Sequence, residues 1–172
     1  ADRLHRILTA FVEYERPEIV AFREAVEQFK QDIPDILDAL RRIISEHAGS
    51  NPAFQRAHAA FWNLCRDSIN PNISAFDIQE MLIQHILTAE IFNTVFGESH
   101  FHRENAVARE LELVINTFFT GATRRNTLAR IENYYNAIKA EAARIQHHHE
   151  KQQFLKVVYE NFYKAYNPKA AD

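Results

Sequence analysis

Three glycines in 172 residues, Gly49, Gly97 and Gly121, constrain this chain more than any other feature. Hairpins, bulges and phosphate-cradling loops draw on residues that tolerate positive φ, so an all-β or α/β chain of this length needs more glycine. Helix interiors need none. The apolar residues agree, recurring at spacings of three and four as they do on helical faces. Thirteen Phe and six Tyr supply bulky contact residues for those faces. The expected class is therefore all-α, a helical bundle of eight or nine helices forming a single domain over residues 1–172, with 1–70 and 71–172 as candidate sub-lobes.

Punctuation along the chain divides the helices. Leu4, Ile7, Leu8, Phe11 and Val12 mark a first amphipathic stretch. Pro17 suits the first turn of a second helix, burying Ile19, Phe22, Val26 and Phe29, and Pro34 is expected to start a third with Ile36, Leu37, Leu40, Ile43 and Ile44 inward. Gly49 closes that helix, then Asn51 caps and Pro52 opens a fourth, lined by Phe54, Ala57, Phe61, Leu64 and Cys65. Ser74 with Asp77 resembles a capping box, with aspartate in place of the usual glutamate, ahead of Ile78, Met81, Leu82, His85 and Ile86. Thr88 is expected to cap a short continuation with Ile91, Phe92, Val95 and Phe96, ending at Gly97. One stripe runs from Val107 to Phe119 and stops at Gly121. Another, at Leu128, Ile131, Tyr135, Ile138, Ala142 and Ile145, is a heptad-like seam suited to lengthwise packing. The last helix carries Phe154, Leu155, Val158, Tyr159, Phe162, Tyr163 and Tyr166 and ends at Asn167-Pro168. Ala1 stands where an initiator methionine would, and with the aromatic stripe so near the other end this suggests a segment of a longer chain.

Several chemistries are excluded on the same grounds. Without a glycine-rich phosphate loop, nucleotide binding by this segment is not expected, and no glycine-flanked nucleophilic serine occurs. Cys65 is the lone cysteine, which removes an intramolecular disulfide and a thiolate zinc cluster and leaves reducing cytoplasm as the simplest compartment. No apolar run approaches the about 18 residues of a membrane span. His100, His102 and Glu104 are metal-ligand types, but no HExxH or ExxH pair accompanies them, so a polar loop is the plainer reading. His147, His148 and His149 point about 100° apart on a helix and cannot converge on one ion. His85 lies on an apolar face and is expected to be a core histidine with a hydrogen-bond partner. No catalytic, cofactor-binding or metal-ligating residue is assigned.

Charge is uneven. Residues 74–119 hold two basic and seven acidic side chains, whereas residues 120–172 hold nine basic and five acidic. Arg124, Arg125 and Arg130, with Arg103 and Arg109 nearby in sequence, are candidate contacts to duplex phosphates, against the plainer reading of a solvated helix start. Tyr134, Tyr135, Tyr159, Tyr163 and Tyr166 could stack on bases, but their helical spacing points first to core or interface.

The stretch CRDSINPNISAFDIQEMLIQHILTAEIFNTVFGESHFHRENAVARELELVINTFF, Cys65 to Phe119, resembles the segment between helicase and methyltransferase in Type ISP restriction-modification enzymes. The final HHEKQQFLKVVYENFYKAYNPKAAD resembles the lead-in to their adenine methyltransferase, which continues into a Gly-x-x-Tyr-Thr-Pro motif in that family. Residues 1–64 fit by position and helical character. The resemblance implies a single polypeptide with a nuclease, an ATP-dependent DNA translocase, a helical coupler, a methyltransferase and a target-recognition domain, acting in the bacterial cytoplasm. This segment would be the non-catalytic coupler. ATP with Mg2+ and S-adenosylmethionine would belong to other domains, and DNA would be met through the parent enzyme. Tyr159, Phe162, Tyr163 and Tyr166 would then form the interdomain junction. Two alternatives stand beside it: a DNA-binding module using the 120–130 basic region, and a free-standing adaptor or oligomer using the 128–145 seam.

Overall fold

The computed structural model describes residues 17–96 and 106–167. Its helices are α1 (Pro17–Ser50), α2 (Pro52–Ser68), α3 (Ala75–Phe96), α4 (Ala106–Ile115), α5 (Gly121–Leu128), α6 (Glu132–Ala143) and α7 (His148–Tyr166), with a 3-10 turn (Ala129–Ile131) between α5 and α6. The bundle is thus all-α in the described residues. The stretch from Leu4 to Glu15 lies outside them.

Seven helices occur among the described residues, and two boundaries expected there are absent. Pro34 sits inside α1 rather than starting a helix. It removes one backbone donor at a cost of about 3 kcal/mol in a helix interior. Its position is exposed, however, so water can satisfy the carbonyl it frees. Meanwhile Val26, Phe29, Ile33, Ile36, Leu37, Leu40 and Ile44 keep one buried stripe in phase across it. At about 1.5–3 kcal/mol per buried side chain, that stripe outweighs the lost bond. The second boundary fails at Thr88, whose hydroxyl donates to the Gln84 carbonyl at 2.7 Å. The side chain bonds back within an unbroken α3 instead of capping a new helix.

α3 is the central element. Leu82, Ile83, Ile86, Leu87, Ala89 and Ile91 are buried on several sides of it, as expected for a helix enclosed by neighbours. It touches α1, α4, α6 and α7. α6 lies along α1, and the expected seam provides the contact: Ile131, Ile138 and Ala142 are buried, with Leu128 and Tyr135 packed beside them. The seam is therefore consumed inside the domain. Phe29 stacks on Tyr134, while Arg130 reaches Asp32 and Asp35, so α1 and α6 run antiparallel.

Two local signals act as expected. Asn51 accepts from the Phe54 amide at 3.1 Å, and its amide nitrogen donates to the Thr117 carbonyl at 3.0 Å, tying the α1–α2 corner to the turn after α4. Ser74 and Asp77 exchange reciprocal bonds of 2.9 and 3.1 Å at the start of α3, and these bonds hold the Asp77 carboxyl below its ordinary value. The stripe from Val107 is shorter in helix than expected. α4 stops at Ile115, and Thr117 tightens the chain onto the Val114 carbonyl. Phe118 and Phe119 are buried from that turn. Gly121 opens α5 with φ +56°, a conformation L side chains rarely adopt.

Candidate interdomain junction

α7 is held to the bundle by one face and presents another. Leu155, Val158 and Phe162 are buried. Phe22 meets Phe154 at 5.9 Å between ring centroids, and Phe29 meets Phe162 at 6.1 Å, so α7 runs parallel to α1. On the other side Phe92 of α3 meets Tyr159 at 5.9 Å.

The four aromatic junction candidates separate by depth. Phe162 has no exposed surface and serves as a core anchor, because a neighbouring domain cannot reach it. The next residue is rotated by about 100°, and Tyr163 is accordingly 50% exposed. Tyr159 is half-buried, and burial pushes its phenol up. Tyr166 is half-buried and donates its hydroxyl to Glu80. Glu80 in turn accepts from Arg41 Nε at 3.0 Å and from its Nη2 at 3.3 Å, a forked pair. One carboxylate thus joins α1, α3 and α7. Desolvation pushes the Glu80 carboxyl up, but the Arg41 and Tyr166 bonds outweigh it and leave the group below its ordinary value. The Tyr166 phenol is pushed up to about 12, by burial first and then by the Glu80 bond. Nothing in the local sequence signals this staple, since Arg41 and Glu80 are 39 residues apart and Glu80 and Tyr166 are 86 apart.

Tyr159, Tyr163 and Tyr166 line an open groove along α7, closed on the α3 side by Gln84. Tyr163 is exposed in it, and Tyr159 and Tyr166 are half-buried along it.

The basic region has a different character. Arg124 pairs with Glu90 of α3 and lies over the Phe119 ring at 5.8 Å. Arg130 forks onto Asp32 Oδ1 at 3.2 Å and Asp35 Oδ2 at 3.1 Å. An anion arriving at either guanidinium would compete with carboxylates already in place. Arg125 is exposed, Arg109 is exposed on α4, and Arg103 lies outside the described residues. Of the four candidate arginines among the described residues, Arg124 and Arg130 are thus engaged by carboxylates, while Arg109 and Arg125 are exposed on different helices.

The histidines divide in the same way. His85 is buried on α3 and meets Glu112 of α4 at 2.8 Å. His148 and His149 sit exposed in the first turn of α7 beside Gln152 and Gln153. No group of three His, Cys, Asp or Glu able to hold a metal occurs among the described residues, and His100, His102 and Glu104 lie outside them. Cys65 is buried, and desolvation pushes its thiol up, as for a small core hydrophobe. No described helix is long and apolar enough to cross a membrane.

A family model for the coupler domain of Type ISP restriction-modification enzymes matches residues 25–150. The chain belongs to that family. It is also similar to a chain in the cryo-EM structure of the DrdV–DNA complex, with 41% sequence identity and a TM-score of 0.71. That match covers 98% of this chain and 17% of the DrdV-complex chain, so this coupler spans about a sixth of its structural relative. Among curated proteins none matches.

Proposed function

We propose that this coupler joins an ATP-driven DNA translocase and nuclease to an adenine methyltransferase and target-recognition part within one polypeptide. ATP with Mg2+ and S-adenosylmethionine would be bound by those other domains, DNA would be engaged by the assembled enzyme, and the setting would be the bacterial cytoplasm. The carrying observation is the 41% identity over 98% of this chain within a much longer chain whose structure is a DNA complex.

The architecture suits that role. Helices satisfy their own backbone hydrogen bonds, and close-packed cores move as bodies rather than deforming continuously. The buried cluster runs without interruption from Val26 to Phe162, so displacement at α1 is carried to α7. The exposed side of α7 is the candidate junction to the methyltransferase. A duplex-binding role for the 120–130 region is not favoured, because Arg124 and Arg130 are engaged with Glu90, Asp32 and Asp35. An oligomerising role for the 128–145 seam is not favoured either, because that seam faces α1 and α3.

The test is Tyr163→Glu in the full-length enzyme. The variant should remain folded and hydrolyse ATP, yet fail to convert site recognition into translocation and cleavage. Normal translocation and cleavage with the methyltransferase still docked would count against the coupler role of this face.

A further inference from the structure

The groove along α7 has a floor and a ridge of different chemistry. Leu155, Tyr159 and Tyr163 form an apolar floor. Lys156, Glu160 and Lys164 also line it, all three exposed. Their four-residue steps stack them into one ridge along the helix. Among the described residues none of the three has an ion-pair partner, although Glu160 stands one turn from each lysine. The groove runs from Gln152 to Asn167, about 22 Å of helix and so the length of about four turns. These are the dimensions and the chemistry of a helix-in-groove seat, in which an apolar stripe fills the floor and flanking charges set the register.

Resting on the coupler reading, we propose that this groove docks an amphipathic helix from an adjacent domain of the same polypeptide, carrying carboxylate, cation and carboxylate at four-residue steps against Lys156, Glu160 and Lys164. Charge decides against two other occupants. A second copy related by a two-fold axis would bring Lys156 onto Lys164 and Glu160 onto Glu160, like charge on like. A nucleic-acid strand tracking the ridge would run its phosphates past Glu160, midway between the lysines, where repulsion offsets their attraction.

The experiment measures alkylation rates in the intact polypeptide, read peptide by peptide by mass spectrometry. Gln152→Cys and Tyr163→Cys each place a thiol in the groove, so disturbance at one site does not decide the result. Leu113→Cys, at a position 59% exposed on α4, is the open control. Groove thiols should react about ten-fold more slowly than the control, the protection given by a groove filled about 90% of the time. Lys156→Glu combined with Lys164→Glu should bring the groove rates to within about two-fold of the control, because the docked helix then meets like charge. Equal rates at both groove thiols and the control, before any charge reversal, overturn the proposal by showing an open groove. Protection that survives charge reversal overturns it by showing an occupant not matched to the ridge. Protection that requires high protein concentration or added DNA overturns it in favour of a second copy or a nucleic-acid strand. An open groove alongside an uncoupled Tyr163→Glu enzyme leaves the coupler function standing, whereas a protected groove with normal coupling in that enzyme removes the function and keeps the docking.

Discussion

Replacing Tyr134 with phenylalanine is expected to stabilise this domain, because the core buries a hydroxyl it does not use. Tyr134 is 2% exposed, its ring stacked on Phe29 at 4.1 Å between centroids and 11° between planes. Its hydroxyl oxygen has no hydrogen-bond partner, and burial raises the phenol well above its ordinary range. A buried, unpaired hydroxyl costs about 1–3 kcal/mol in proteins. Phenylalanine keeps the ring, its apolar burial and the stacking on Phe29. Loss of the oxygen opens a void of about 10–15 Å³, worth about 0.3 kcal/mol at the usual cavity cost. The balance is a gain of about 1 kcal/mol, or about 2–4 °C in Tm for a domain of this size. Urea unfolding of the two proteins measures it as a higher midpoint with an unchanged slope. A loss of more than about 0.5 kcal/mol would refute the reasoning, since only a hydroxyl that gains a net hydrogen bond on folding is missed by that much.

Three further outcomes follow from the packing. Phe162→Ala should cost about 3–5 kcal/mol in the same unfolding assay, whereas Tyr163→Ala, one residue on but half exposed, should cost under about 1 kcal/mol. Asn51→Ala should cost about 1–2 kcal/mol by removing the cap on α2 together with the bond to Thr117, measured as a fall in Tm. The Arg41–Glu80–Tyr166 staple should shape stability at both pH extremes. Tyr166, raised to about 12, contributes stability that is complete below the ordinary tyrosine value of about 10 and lost as pH climbs to about 12. Glu80, lowered, contributes stability present above the ordinary glutamate value and lost as pH falls through its folded value. Tyr166→Phe and Glu80→Gln, compared by thermal unfolding across pH, should flatten the alkaline and acid limbs respectively.

What the sequence disclosed was mostly local. The cap at Asn51 and the box at Ser74 and Asp77 act within three residues, so their residue types suffice to place them. The buried stripe of α1 is legible from spacing, whereas Pro34 carries the local signal of a helix start and lies inside the helix. That proline is a strong local signal, and the apolar side chains on either side of it hold the helix through. Thr88 misled in the same way, because a hydroxyl that caps a helix start can equally bond back inside one. Phe162 and Tyr163 could not be separated by spacing alone, since the aromatic stripe of α7 is wide enough to include both faces. Their depths follow from where α1 and α3 lie. The staple from Arg41 through Glu80 to Tyr166 joins residues distant in sequence, and no periodicity encodes such a contact. The carboxylate partners of Arg124 and Arg130 are hidden for the same reason. A basic run looks open to phosphate until the fold brings Glu90, Asp32 and Asp35 beside it.

The coupler role is tested most directly by measuring ATP hydrolysis and site methylation together in the full-length enzyme, with and without its recognition site, for the parent and Tyr163→Glu forms. A coupler predicts that basal ATPase and methylation persist in the variant while the stimulation of ATPase by the recognition site collapses. Undiminished stimulation in a folded Tyr163→Glu enzyme would contradict it.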